Sequence, residues 1–402
     1  MTKVYTLTSP LHDGEAVEAS TASFLSGIGL SANDVQKDYS AYGNGGLDLI
    51  FVRTGGTEGI FLELLPSLRE RSHSPFYLLT SGASNSLAAS MEILSYLRQK
   101  GLRGEIIHGR PDCIRRRIAA IERVETARTS LRGKKYGVLG RPSDWLISSQ
   151  ADYGAINKAL GIELTDIPME EVLDSYARSD GSFTDAAIAA GTVAYEAPEI
   201  VKDYLPGAYR IYSALRKIIS SHSLDGFTIR CFDLLSAVRN TGCFALAKLN
   251  SEGYVAGCEG DVPAMVSMAV ARAFTGVSGF QANPSSIDPE TGEITFAHCT
   301  IPFDMVTRMA FDTHFESGIG VGIKGYFQEG PVTVFKLSGD LKKVFAEEGV
   351  LIRNQSARTL CRTQIVVRLD SPEAAGTLLT DPVGNHHVIV HGRIADSIRA
   401  LL

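Results

Sequence analysis

The chain has 402 residues, 44% hydrophobic and 21% charged, with a net charge of −6; it exceeds what one hydrophobic core fills, so two or three globular domains are expected. The acidic balance argues against a general nucleic-acid surface, and no run of about 18 apolar residues is present to span a bilayer, which leaves a small neutral or polar partner as the expectation. The opening MTKVYTLTSPLHDGEAVEAS lacks the apolar run of a signal peptide, so the expected location is cytoplasmic.

In chain order, LDLIFVRT (Leu47 to Thr54) reads as a strand, TGGTEG as a turn and Ile60 to Arg71 as an amphipathic helix. PFYLLTSG is a second buried strand, Ala83 to Lys100 a second helix and GEIIHG a third strand. Strands separated by helices of this length imply a parallel sheet with right-handed crossovers. A basic stretch, Arg128 to Lys135, reads as a solvated linker. The pattern then restarts: KKYGVLG is a strand leading to the polar loop RPSDWLISS, followed by helix and strand in AINKALGIELTDIP and a helix in MEEVLDSYARS. A longer helix is expected from about Pro198 to Ser221 and a strand at FTIRCFDLL.

The last hundred residues alternate β-rich runs with turns: GIGVGIKGYF, PVTVFKLSG, GVLIRNQ and RTQIVVRLD, then a strand and a terminal helix in HHVIVHGRIADSIRALL. The expected fold class is α/β: two Rossmann-like parallel-sheet domains, 1–133 and 134–298, followed by a smaller antiparallel barrel-like domain, 299–402. Six cysteines with no C-x-x-C pair fit reduced, mostly buried thiols.

TGGTEG sits between a strand and a helix but lacks the endings of a Walker A loop or a dinucleotide fingerprint, and reads as a tight turn that can border a site. In GYVAGCEGDVPAMVSMAVARAFTG, Glu259 and Asp261 stand at a strand-to-helix junction, where a helix N-terminus favours ionised carboxylates; Asp261 is equally an ordinary cap. GFQANPSSIDPETGEITFAHCTIP puts Asn283 after a short strand and His298 at the end of another, either a core histidine or a ligand. In VGNHHVIVHG, His386 and His387 point to opposite faces of a strand, so one of them serves a given site.

The order of C-E-G-D opening a helix, F-Q-A-N-P-S-S-I-D-P, A-H-C, GPVTVFKLSG and G-N-H-H-V-I-V resembles the L-fucose isomerase-like family, and more distantly the L-arabinose isomerases. The likeness runs from about Phe227 to the C-terminus. It implies a divalent ion, usually Mn²⁺, with Glu259 as first carboxylate, Asn283 in the place of the second, His298 as the histidine of arabinose isomerases and His387 as the C-terminal histidine. It also implies a homo-oligomer, trimer or hexamer, with active sites between subunits, acting on a free monosaccharide.

Moving a carbonyl between C1 and C2 of a sugar requires removing a weakly acidic C–H proton and stabilising the resulting enediolate, work suited to a cation and a nearby carboxylate. Glu259 is the expected ligand and proton carrier, with Asp261 and Asn283 as further catalytic candidates. Asn283 departs from the family pattern, because an amide ligates without charge and cannot act as an acid or base at neutral pH. An anionic sugar would accommodate that change, with His298, Arg141, Trp145 and His12 as candidate contacts. A catalytically lapsed sugar-binding protein and a metal-dependent epimerase or lyase are the alternatives.

Overall fold

The computed structural model describes residues 2–12, 14–72, 74–181, 195–196 and 198–402. The chain divides into two compact units, Met1–Thr129 and Ser130–Leu402. In the first, strands β1 (Thr2–Leu7), β2 (Leu47–Val52), β3 (Phe76–Leu79) and β4 (Gly104–Ile107) pair in parallel in that order. Strand β2 is apolar almost throughout because both its faces are covered. Ile50 and Val52 pack with Phe61, Leu65 and Ile93, while Leu49 and Phe51 face Leu25, Ile114 and Ile118. The strand β1 and the helix Gly14–Gly27 open the chain without having been assigned from the pattern. Residues 128–135 are not a linker but the last turn of the helix Pro111–Leu131 and the start of the next strand; Arg128 is buried and pairs with Glu125 at 3.4 Å.

The second unit opens with another parallel sheet, from β5 (Lys135–Leu139), β6 (Glu163–Ile167), β8 (Gly226–Ile229) and β9 (Val255–Gly257) in the order β6-β5-β8-β9. A small sheet joins β7 (Tyr195–Glu196) to β12 (Val306–Asp312) and β13 (Gly322–Phe327). The remaining strands are β10 (Phe280–Asp288), β11 (Glu293–His298), β14 (Gly330–Leu337), β15 (Val344–Asn354), β16 (Thr363–Leu369) and β17 (His387–His391). They close an antiparallel barrel in the order β10-β11-β16-β15-β14-β17.

Closure leaves no unpaired edge, and alternate residues along each strand fill one interior. Ile294 and Phe296, Val332 and Val334, Ile365 and Val367, with Ile389, belong to one apolar cluster. The barrel starts at residue 280, so two of its strands come from sequence assigned above to the central domain, and β12 and β13 lie outside it. The helix Val262–Thr275 links the second sheet to the barrel. Its Ser267 hydroxyl accepts from the Leu337 N–H of β14 at 3.0 Å and donates to Pro263 O at 2.8 Å. No described helix is long and apolar enough to cross a membrane.

Phe296 is fully buried. Phe296→Ala is therefore expected to cost about 3–5 kcal/mol in urea unfolding; a loss under about 1 kcal/mol would place that ring outside the packed interior.

Candidate metal site and cleft

The site is built on the turn that follows β9. Glu259 and Gly260 both take left-handed backbone, with φ of +64° and +69°, a conformation disfavoured for a glutamate and sustained here by its surroundings. The N–H of Gly260 donates to Ile229 O at 2.9 Å, and the N–H of Ser143 donates to Glu259 O at 2.9 Å. A Cβ at position 260 would meet Arg141 O at 2.5 Å, so only glycine fits against that loop. The turn swings the Glu259 side chain inward, where it is 7% exposed. Its Oε2 accepts from Trp145 Nε1 at 2.6 Å, and the indole stands edge-on to Phe232.

The other carboxylate oxygen faces two imidazoles. Glu259 Oε1 lies 3.4 Å from His386 Nε2 and 3.7 Å from His298 Nε2. Ligand atoms of these three residues lie within 4.8 Å of one another, close enough for a single cation. His298 ends β11, and its Nδ1 is 3.0 Å from the Thr300 hydroxyl. His386 Nδ1 is 2.9 Å from Asp261 Oδ2. A carboxylate at Nδ1 holds a proton there and directs Nε2 to the position a metal ion takes, as in carboxylate–histidine–metal arrangements. His386 Nε2 is buried and has no hydrogen-bond partner among the described residues, and that orphaned nitrogen fits a cation that displaces its proton. One carboxylate with two imidazoles is a donor set for borderline divalent ions.

Asp261, fully buried, is also the helix cap: its Oδ1 accepts from Ala264 N–H at 2.8 Å, and Lys336 Nζ donates to its Oδ2 at 2.9 Å. Burial opposes its ionisation, but the Lys336 ammonium and the His386 ring more than offset this and hold the carboxyl below its ordinary range. Burial likewise opposes ionisation of Glu259, and His298 and His386 bring it well below the usual carboxylate range. For His386, burial disfavours the cation, yet Asp261 and Glu259 push its pKa up to about 9. A metal ion at Nε2 must displace that proton, so affinity falls on acidification.

The histidine assigned to the metal from the sequence, His387, is not the one that faces Glu259. It begins β17 opposite Ala282 and shares a strand face with Ile389, inside the barrel. Its ring packs against Phe296 and Phe345, at centroid distances of 6.0 and 5.3 Å, and burial depresses its pKa to about 3. His386, one residue earlier, points the opposite way. The strand alternation was legible; which member of the pair faced outward was not, because Val388, Ile389 and Val390 are all fully buried.

Asn283 and His298 line a cleft together with Glu259, Glu316 and His314. Five of the six cysteines border it as well, Cys231, Cys243, Cys258, Cys299 and Cys361, all free thiols. The Sγ atoms of Cys231 and Cys258 are 3.1 Å apart. The cleft has a volume of about 50 Å³, room for a cation and a few waters at about 10–15 Å³ of such volume per water. Trp145 is at the site. Arg141 is not among the lining residues; its guanidinium is exposed and pairs with Asp144 at 3.2 Å. His12 belongs to the first unit, where it borders a separate cavity with Arg53 and Ser84. Lys336, within GPVTVFKLSG, Thr300, just after the A-H-C motif, and Glu316 had no role assigned from the sequence.

No family model matches the chain. Over 210 residues it is 23% identical to the sulfoquinovose isomerase of Clostridium sp. (strain MSTE9), covering 48% of this chain and 45% of that protein. The chain thus spans about half the length of the curated relative that it matches.

The two histidines separate experimentally. His386→Asn is expected to weaken divalent-cation affinity, read by Mn²⁺ electron paramagnetic resonance, at least about 10-fold, whereas His387→Phe stays within about 3-fold of the parent. The reverse order would mean that His387 faces the ion.

Proposed function

We propose that this protein is a metal-dependent aldose–ketose isomerase acting on an anionic sugar. The observation that carries the reading is the convergence of Glu259, His298 and His386, with Asp261 and Thr300 placed to hold both Nε2 atoms toward one point. The likeness to a sulfoquinovose isomerase supports the reaction class and an anionic substrate. The resemblance of the C-terminal half to fucose isomerase-like proteins supports manganese as the ion. It also extends the proposal to a cytoplasmic homo-oligomer, trimer or hexamer, whose sites are completed by a neighbouring subunit.

When bound, a divalent cation polarises the sugar carbonyl and offsets the charge of the enediolate. The chain's own groups do the rest. Glu259 supplies the anionic donor, and its Oε2 is held by Trp145, which leaves Oε1 directed at the imidazoles. Asp261 and Lys336 keep the His386 ring oriented. Asn283 offers an amide where a second carboxylate would repel a sulfonate or phosphate, which favours an anionic sugar over a neutral one. The same Asn283 is what favours the alternative of a lapsed sugar-binding protein; the retained donor set and its supporting hydrogen bonds weigh against it.

The test is ¹H NMR of C2-proton exchange in D₂O with the Mn²⁺-loaded protein and a panel of neutral, sulfonated and phosphorylated aldoses. Exchange with ketose formation is expected for an anionic aldose, abolished by chelator and lowered at least about 100-fold in Glu259→Gln. Equal turnover of neutral sugars would remove the anionic assignment. A metal-loaded protein that exchanges no sugar would leave a binding protein.

A further inference from the structure

The isomerase reading leaves one chemical task unfilled. A proton carrier between C1 and C2 needs a carboxylate that accepts and returns a proton, and Glu259 is poorly suited: it is buried, its Oε2 is taken by Trp145 and its Oε1 is committed to the two imidazoles and the ion's position. Asn283 cannot substitute, because an amide does not exchange its charge state.

We propose that Glu316, which lines the same cleft, is the catalytic proton carrier of this site; the assignment rests on the isomerase reading. Glu316 lies on the turn between β12 and β13, and that turn is built rather than loose. The N–H of His314 donates to Ile319 O at 3.0 Å, the N–H of Gly318 to His314 O at 2.9 Å, and His314 Nδ1 is 3.1 Å from Ser317 Oγ. Arg362 Nε donates to Thr313 O at 2.7 Å, and the His314 ring stands edge-on to Phe232, another wall of the cleft. Gly320, at φ +69°, is pressed on Thr241, where a Cβ would meet Oγ1 at 2.5 Å.

The Glu316 carboxylate itself has no ion pair or hydrogen bond among the described residues, and it stays partly exposed, so it can turn toward a substrate and re-equilibrate with water. Burial and the nearby Glu259 charge raise its pKa above the ordinary glutamate value. One carboxylate committed to the imidazoles and a second left unpaired on the wall of the same cleft divide the work between ligation and proton transfer.

The step balances without an external oxidant. Glu316 takes the C2 proton, and the C–H electron pair becomes the C1–C2 double bond as the C1=O π pair moves onto O1. A hydroxyl proton passes from O2 to O1 through water at the open mouth, the freed O2 pair forms the C2=O bond, and the C1–C2 π pair takes the returned proton, or one exchanged with solvent, at C1. C2 is oxidised as C1 is reduced.

The experiment compares Glu316→Gln with the parent in Mn²⁺ binding and in C2-proton exchange across pH. Because the residue is exposed on the turn, folding is checked by the thermal midpoint and Glu316→Asp serves as the conservative variant. Glu316→Gln is expected to bind Mn²⁺ like the parent and keep its KM, while kcat and exchange fall together by about 10²–10⁴, with partial recovery in Glu316→Asp. Exchange within about 3-fold of the parent overturns the assignment while leaving the isomerase reading intact. A parallel loss of Mn²⁺ affinity also overturns it, making Glu316 a ligand. A parent that loads Mn²⁺ but exchanges no sugar overturns the isomerase reading and this assignment with it.

Discussion

The site depends on one buried anion. Asp261, with no exposed surface, binds three parts of the second unit at once: the first turn of the helix Val262–Thr275 through Ala264, the barrel strand β14 through Lys336, and the residue before β17 through His386. A carboxylate and an ammonium taken out of water are costly as separate charges and tolerable only when paired and hydrogen-bonded. Lys336 is 1% exposed, so its ammonium has no water to turn to in place of Asp261. Each therefore fixes the other, and His386 is fixed between Asp261 and Glu259.

That constraint explains how two different architectures share a site. The end of β9 delivers Glu259 at the carboxyl edge of a parallel sheet, the usual location for ligands in α/β folds. His298 ends β11 and His386 immediately precedes β17, so both histidines come from the ends of barrel strands. Left-handed backbone at Glu259 and Gly260 turns the carboxylate toward them, and the loop carrying Ser143 and Trp145 holds the turn in that conformation. The strain at a glutamate with positive φ is thus borne by contacts on both sides of it.

The electrostatics follow from the same geometry. Negative charge is concentrated on Glu259 and Asp261, each offset by neighbouring imidazole or ammonium groups, while Asn283 adds only a dipole to the cleft. The thiols around it are desolvated; Cys258 and Cys243 are raised well above the ordinary thiol range, the first by its Cys231 partner and burial, the second by burial. The buried sulfur atoms give the cleft a soft, weakly polar wall in which the charges of Glu259 and any cation are felt strongly.

From the sequence alone, the short apolar run of LDLIFV next to an amphipathic helix determined a parallel sheet, and the succession of β-rich runs and turns through PVTVFKLSG and RTQIVVRLD determined antiparallel β-structure; local patterning carries that information. The junction character of CEGD and the position of His298 at a strand end were legible for the same reason. Other features required the closed barrel. Its start at residue 280, the inward turn of His387 and the outward turn of His386 depend on which strands pair across more than a hundred residues, and when both faces of a strand are buried the sequence holds no mark of the difference. Lys336 reaches Asp261 across 75 positions and Glu316 reaches the cleft from a turn outside the barrel, so only tertiary structure could bring them to the site.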